Sequence, residues 1–361
     1  MPTRALVTRY EQDLQLFPDR WHKIGLVVLA IVIIGFPMLA DARWMTVANL
    51  SLVSVVGALG LMILTGFAGQ ISLGHAAFLA VGAYTVAILG EQLQWPFWLC
   101  IPTAGVTAAA VGLTVGPFAL RLKGLYLAIV TLGMLFLVNH ILLSVPSLTH
   151  GVSGIAVPMR TWFGSGGALG DFHDSLVLGP VELDSNAKLY FLFVTIAVVA
   201  TWATKNLARS NTGRALVAVR DHDLAASVLG VSPARAKITA FGVSSFYAGI
   251  AGAMFAYQQQ YITVSPPFDL DMSVTYIAMI VLGGIGTTFG AVAGALAMGF
   301  LGPLAETIGH ELPYISQLSS AQQSTLLFAV LVCAILVVEP LGILGIWLRI
   351  KRYFAAWPFR Y

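Results

Sequence analysis

Charge is what this sequence has least of. Only 10% of its 361 residues are Asp, Glu, Lys or Arg, against 58% hydrophobic, whereas a soluble domain is about one quarter charged. With a mean hydropathy of +0.85, there is too little charge to clothe a water-exposed surface, and most of that surface must face lipid. The deficit runs along the whole chain, which points to one membrane domain and not to two soluble ones. Cysteine is scarce too: Cys100 and Cys333 each sit inside an apolar run with no paired spacing, a packing pattern and not that of a disulfide or metal site. The net charge of +3 gives no sign of a nucleic-acid partner.

Acidic groups are missing from the apolar segments. Within them the ionisable residues are His75 and His140, with Glu339 at an edge. An ion-coupled carrier places such groups at mid-membrane to bind protons or sodium. A self-powered pump needs its own nucleotide chemistry, yet there is no G-x-x-x-x-G-K-[ST] loop, and the glycine-rich stretch 164–170 lacks the lysine. No nucleophile–base pair or metal cluster recurs in the spans, which disfavours a membrane enzyme. The chain moves something without a visible energy source, so either a partner supplies the energy or the protein is a passive channel or facilitator.

What is present is a series of apolar runs of the length a helical span needs, about 20 residues. They lie near 24–40, 45–65, 70–90, 96–119, 124–145, 188–204, 237–260 and 321–338, and a longer stretch, 271–304, is interrupted by Gly283, Gly284, Gly286 and Gly290. The basic segment 205–237 carries Lys205, Arg209, Arg214, Arg220, Arg235 and Lys237, while 146–187 carries only Arg160 against four acids. The Lys/Arg bias puts the first inside and the second outside. With a basic turn at Arg121/Lys123 and a basic tail, 271–304 must enter and return as two short helices meeting near its glycines. The expectation is an all-α integral membrane protein of about ten spans, broken near 66–78 and 283–290, with both termini cytoplasmic. Residues 1–23 form an inner segment, 24–346 the membrane domain and 347–361 a cytoplasmic or interfacial tail. The first span is retained and not cleaved, since no small-residue cleavage site follows it. Glu339 and Pro340 mark the end of span ten, where Glu339 need not be buried.

Two stretches carry chemistry. Between spans two and three, Gly66, Gly69 and Gly74 weaken helix, and Gln70, Ser72 and His75 can pair with the freed backbone groups. This is either part of a translocation path (Gly69, Gln70, Ser72, Gly74, His75, Phe78) or a tight hairpin whose polar groups satisfy one another. In the basic loop, Leu216, Val219, Asp223 and Ala226 follow helical spacing, Gly230 ends the segment and Pro233 starts the next. It reads either as a short helix–Gly–helix element fitting a groove on another protein or as an ordinary solvated loop.

Taken together, Gly69–Phe78, Gly82-Ala83-Tyr84, Arg121–Ala128, Gly213–Leu216, Ala225-Ala226 with Leu229-Gly230, Ala248–Gly252 and Leu282–Thr287 resemble permeases of branched-chain amino-acid importers, of the LivM type, over about 50–345. The resemblance implies half of a pore in an ATP-binding-cassette importer of the many-helix type, in the cell inner membrane. A LivH-like sister permease completes the pore. Two ATPase subunits, which hold ATP and magnesium, dock inside, and a solute-binding protein docks outside, with 146–187 as its candidate dock. The loop 205–237 matches the place of the coupling helix, with Gly213, Arg214, Arg220, Asp221, Asp223, Ala225, Ala226 and Gly230 as its coupling positions. Related permeases for urea, short amides or other amino acids are the alternatives, and sugar permeases share the glycine signature more distantly.

Overall fold

Hydrophobic helices of bilayer length dominate the architecture. The computed structural model describes residues 31–122, 124–161, 176–178, 181–309, 341–356 and scattered positions between 322 and 339. Expectations for 1–23, the start of the first span, Lys123, the 164–170 stretch and more than half of the 321–338 span fall outside these residues. The helices are α1 (31–39), α2 (Ala42–Leu61, extended by a wide turn at Met62–Phe67), α3 (His75–Glu91), α4 (Phe97–Arg121), α5 (Leu125–Ser144) and α6 (Ser185–Arg209). Then come α7 (Asn211–Asp221), α8 (Asp223–Val228), α9 (Pro233–Gln259), α10 (Leu270–Gly283), α11 (Thr288–Gly309) and α12 (Gly342–Ala356). Among the described residues, strands are confined to two short antiparallel ribbons, β1 (Ile155–Ala156) with β4 (Tyr261–Ile262) and β2 (Leu176–Leu178) with β3 (Val181–Leu183).

Five helices, α2 with its extension, α4, α5, α6 and α9, are long and apolar enough to cross a bilayer. α10 and α11 pass the same test as a pair bent by 119°. Among the described residues the tally is therefore five spans, or six with the bent pair taken as one; the expected ten is not reached there.

α9 is the centre of the bundle and packs on α2, α3 and α4. Lipid gives helices no hydrophobic reason to associate, so close backbone contact has to do it, and small residues permit that contact. A Cβ on Gly82 of α3 would run into the carbonyl oxygen of Gly249 on α9, and one on Gly249 would run into that of Ala104 on α4. Polar groups are tied off across helices: Tyr247 donates to the Ala200 carbonyl at 3.1 Å and accepts from Thr204 at 3.1 Å, and Asn49 Nδ2 donates to the Asn186 carbonyl at 3.2 Å.

Three local expectations change. The expected third span begins at His75 and not near 70, because 68–74 stays non-helical. The connection between the long helices is Ser210–Ser232 and not 205–237, since α6 runs on to Arg209 and α9 starts at Pro233. Glu339 is buried, at 8% exposure, and paired with Arg349 of α12. It is covered because α12 folds back against α10 and α11, and a carboxylate so placed needs a cation. At the end of the bundle remote from Ser210–Ser232, the ribbon of β1 and β4 joins the segment after α5 to the α9–α10 linker.

Candidate functional site

The last turns of α2 loosen before the chain leaves the helix. Ala68 N–H reaches back to the Ile63 carbonyl at 3.2 Å and Gln70 N–H to that of Leu64 at 3.1 Å, both wider than an α-helical turn. The backbone then runs without helix to α3, and the N–H groups around that helix start are met by side-chain hydroxyls. Thr131 of α5 accepts from Leu73 N–H at 3.0 Å, Ser273 of α10 accepts from Ala76 N–H at 3.0 Å, and Ser72 accepts from Gly74 N–H at 3.3 Å. Borrowed hydroxyls thus satisfy donors that a helix start leaves open. His75 Nε2 lies 3.0 Å from the Gly57 carbonyl oxygen on α2, and its ring meets Tyr276 of α10 edge-on at 5.1 Å.

The six residues singled out here divide by their surroundings. Ser72, Gly74, His75 and Phe78 are buried in the packing, with Gly74 tight against the Thr131 backbone. Gln70 is 5% exposed, yet neither its amide nitrogen nor its amide oxygen has a hydrogen-bond partner. With Gly69, Leu127, Arg220, Asp223 and Lys237, it lines a cavity of about 270 Å³.

That cavity joins the broken span to the basic connector. Ser210 caps α7, accepting from Gly213 N–H at 3.2 Å, and α7 buries Gly213, Leu216 and Val219. The single helix expected across the segment is interrupted at His222, whose backbone is extended (φ −153°, ψ 96°), so α8 starts afresh at Asp223. Arg214 bonds to Asn211 of its own helix. Arg220 does more. Its Nη1 donates to the Gly66 carbonyl at 2.7 Å and its Nε to Asp221 Oδ1 at 2.9 Å. Its stem lies across Gly69, where φ is +67° and a Cβ would come within 2.6 Å of Arg220 Cγ. Only glycine accepts both that backbone and that neighbour.

On α8, Ala226 faces inward and Ala225 outward. The large hydrophobic side chains Leu224 (79%), Val228 (87%) and, just past the helix, Leu229 (84%) are exposed, followed by Gly230 at φ +84° with open space around it. Sequence reasoning missed these three. Their signal was an apolar set at i, i+4 and i+5; Leu224 and Val228 share the side of α8 away from Ala226, and Leu229 follows the end of the helix.

The break between α10 and α11 falls at the expected glycines. Gly284 (φ +114°) and Gly286 (φ +91°) turn the chain, Gly283 presses on the Gly290 carbonyl, and Gly290 N–H donates to Thr287 Oγ1 at 3.1 Å. A Cβ on Gly66 would sit 3.1 Å from Gly286 N, so the two breaks are neighbours beside Arg220.

A second cavity, of about 410 Å³, opens at the start of α10. Asp269, Asp271, Thr275 and Tyr276 line it opposite Leu50, Val53 and Ser54 of α2. The two acids were missed because they adjoin an apolar run and read as its flank. Among the described residues, no group of three or more His, Cys, Asp and Glu side chains is placed to hold a metal ion.

Comparison with known proteins agrees with this architecture. The family described as "Branched-chain amino acid transport system / permease component" matches residues 44–338. The high-affinity branched-chain amino acid transport system permease protein LivM of Escherichia coli K12 is 34% identical over 285 residues, covering 77% of this chain and 67% of that protein. LivM of Salmonella typhimurium is 33% identical over 290 residues with the same coverage. LivH of Escherichia coli K12, the permease protein LivH of the same named system, is 27% identical over 305 residues, covering 80% of this chain and 90% of that one. No solved structure matches. The broken spans, the basic connector and these similarities lead to one conclusion: this all-α membrane chain belongs to the branched-chain amino acid transport permease family.

Proposed function

We propose that this chain forms one half of the pore of an ATP-binding-cassette importer for branched-chain, hydrophobic amino acids, and that it receives its power through Ser210–Ser232. The observation that carries this reading is Arg220, one side chain touching the connector, the α2–α3 break and the α10–α11 bend. A displacement of α7 has no route that leaves those two breaks untouched. Lipid tolerates unwound backbone where it is buried or lines a cavity, and helix breaks near cavities are where transporters change shape.

In this reading the basic connector faces the cytoplasm. Leu224, Val228 and Leu229 enter a groove on an ATPase subunit, and ATP with its magnesium is held by two such subunits and not by this chain. A LivH-like sister permease completes the pore in the cell inner membrane, and an extracytoplasmic binding protein docks at the end bearing the β1–β4 ribbon. Gly69 and Gln70 lie on the path for solute, and Ser72, Gly74, His75 and Phe78 hold the break in shape.

The test is uptake of labelled leucine into proteoliposomes holding this chain with its sister permease, ATPases and binding protein. ATP-dependent uptake is expected. Uptake at the same rate without ATP would make the protein a facilitator and end this reading.

A further inference from the structure

We infer that the cavity at the start of α10 is a binding station for the ammonium group and apolar side chain of the travelling amino acid. This deepens the importer reading and rests on it. The cavity has about 410 Å³, within the range of small-molecule sites. Its wall is chemically two-sided. Leu50, Val53, Phe255, Met272 and Met279 give an apolar surface, while Asp269 and Asp271 supply two carboxylates. Among the described residues, its lining includes no Lys, Arg or His, so a cationic group is the one its charge favours. A bare metal ion would leave the apolar wall unused; an ammonium carrying a branched alkyl chain uses both sides.

Leu50 to Ser54 lie eight to twelve residues into α2, about 12–18 Å along it at 1.5 Å per residue, so the apolar wall belongs to the helix interior, while Asp269 is partly exposed and Asp271 exposed. Asp269 Oδ1 accepts from Ser265 Oγ at 2.6 Å, which fixes that carboxylate at the rim. The neutral hydroxyl of Thr275 on the lining is the donor available to the substrate carboxylate, since Ser54 is hydrogen-bonded to Tyr276.

The test is thiol protection in the assembled complex, with Cys333→Ser as background, since Cys333 is exposed and Cys100 buried. Thr275→Cys, or Ser54→Cys should the first not assemble, is labelled with a small charged thiol reagent. Saturating L-leucine is expected to slow labelling about tenfold. The decarboxylated analogue 3-methylbutylamine should protect as well, and 4-methylpentanoate, which lacks the ammonium, should not. Asp269→Asn with Asp271→Asn should raise the leucine concentration needed roughly 10- to 100-fold, the worth of hydrogen bonds to a charged group. Equal protection by 4-methylpentanoate, or none by leucine, overturns the station. The importer reading fails separately, if the parent complex shows no ATP-driven leucine uptake at all.

Discussion

The Arg220 guanidinium donates a 2.7 Å hydrogen bond to the carbonyl oxygen of Gly66, 154 positions away in the sequence. In a regular helix that carbonyl would accept from Gln70 N–H, which instead reaches Leu64. The arginine therefore fills a vacancy that the loosened end of α2 creates, and a basic residue of the connector becomes part of a membrane-span break.

Arg220→Ala removes that donor and the stem over Gly69. A hydrogen bond from a charged group contributes about 1.5–3 kcal/mol, so transport per ATP hydrolysed is expected to fall roughly tenfold or more. Arg220→Lys keeps a charge without the fork and should lie in between. Leucine uptake and ATP hydrolysis measured on one preparation check this; unchanged coupling in Arg220→Ala would remove Arg220 from the transmission route.

Leu224→Glu and Val228→Glu alter side chains that are 79% and 87% exposed. Exposed substitutions shift stability by about 0.5 kcal/mol or less, so the melting temperature of the permease should hold while co-purification of the ATPase subunits is lost. Retained co-purification would assign the docking surface elsewhere.

Gly82→Val and Gly249→Val force a side chain into a neighbouring backbone carbonyl. Overpacking costs about 1–3 kcal/mol, and more where the obstacle is backbone. Both variants should melt earlier in detergent and express poorly. Gly133→Ala on α5, which has nothing within 4 Å of the added carbon, should behave as the parent does.

Arg349→Ala strands the buried Glu339 carboxylate. An uncompensated buried charge is worse than an absent pair, so the single variant is expected to melt below the double variant Glu339→Gln with Arg349→Ala. The comparison is made by thermal unfolding of the four combinations; additive effects would mean the pair is not coupled.

Composition alone determined that this chain lives in lipid: with one residue in ten charged, no folded arrangement can present a hydrated surface. Apolar run lengths located α2, α4, α5, α6 and α9, and the glycines at 283–290 located the bend, because both signals are local along the chain. Tertiary structure decided the rest. The pairing of Arg220 with Gly66, the bonds from the α3 start to Thr131 and Ser273 and the meeting of Asp269 and Asp271 with α2 all join residues far apart in sequence, and Glu339 is buried where α12 folds back against α10 and α11. Hydropathy counts how apolar a segment is. It does not state which helix lies beside which, and that neighbourhood decides whether a polar residue caps, pairs or lines a cavity.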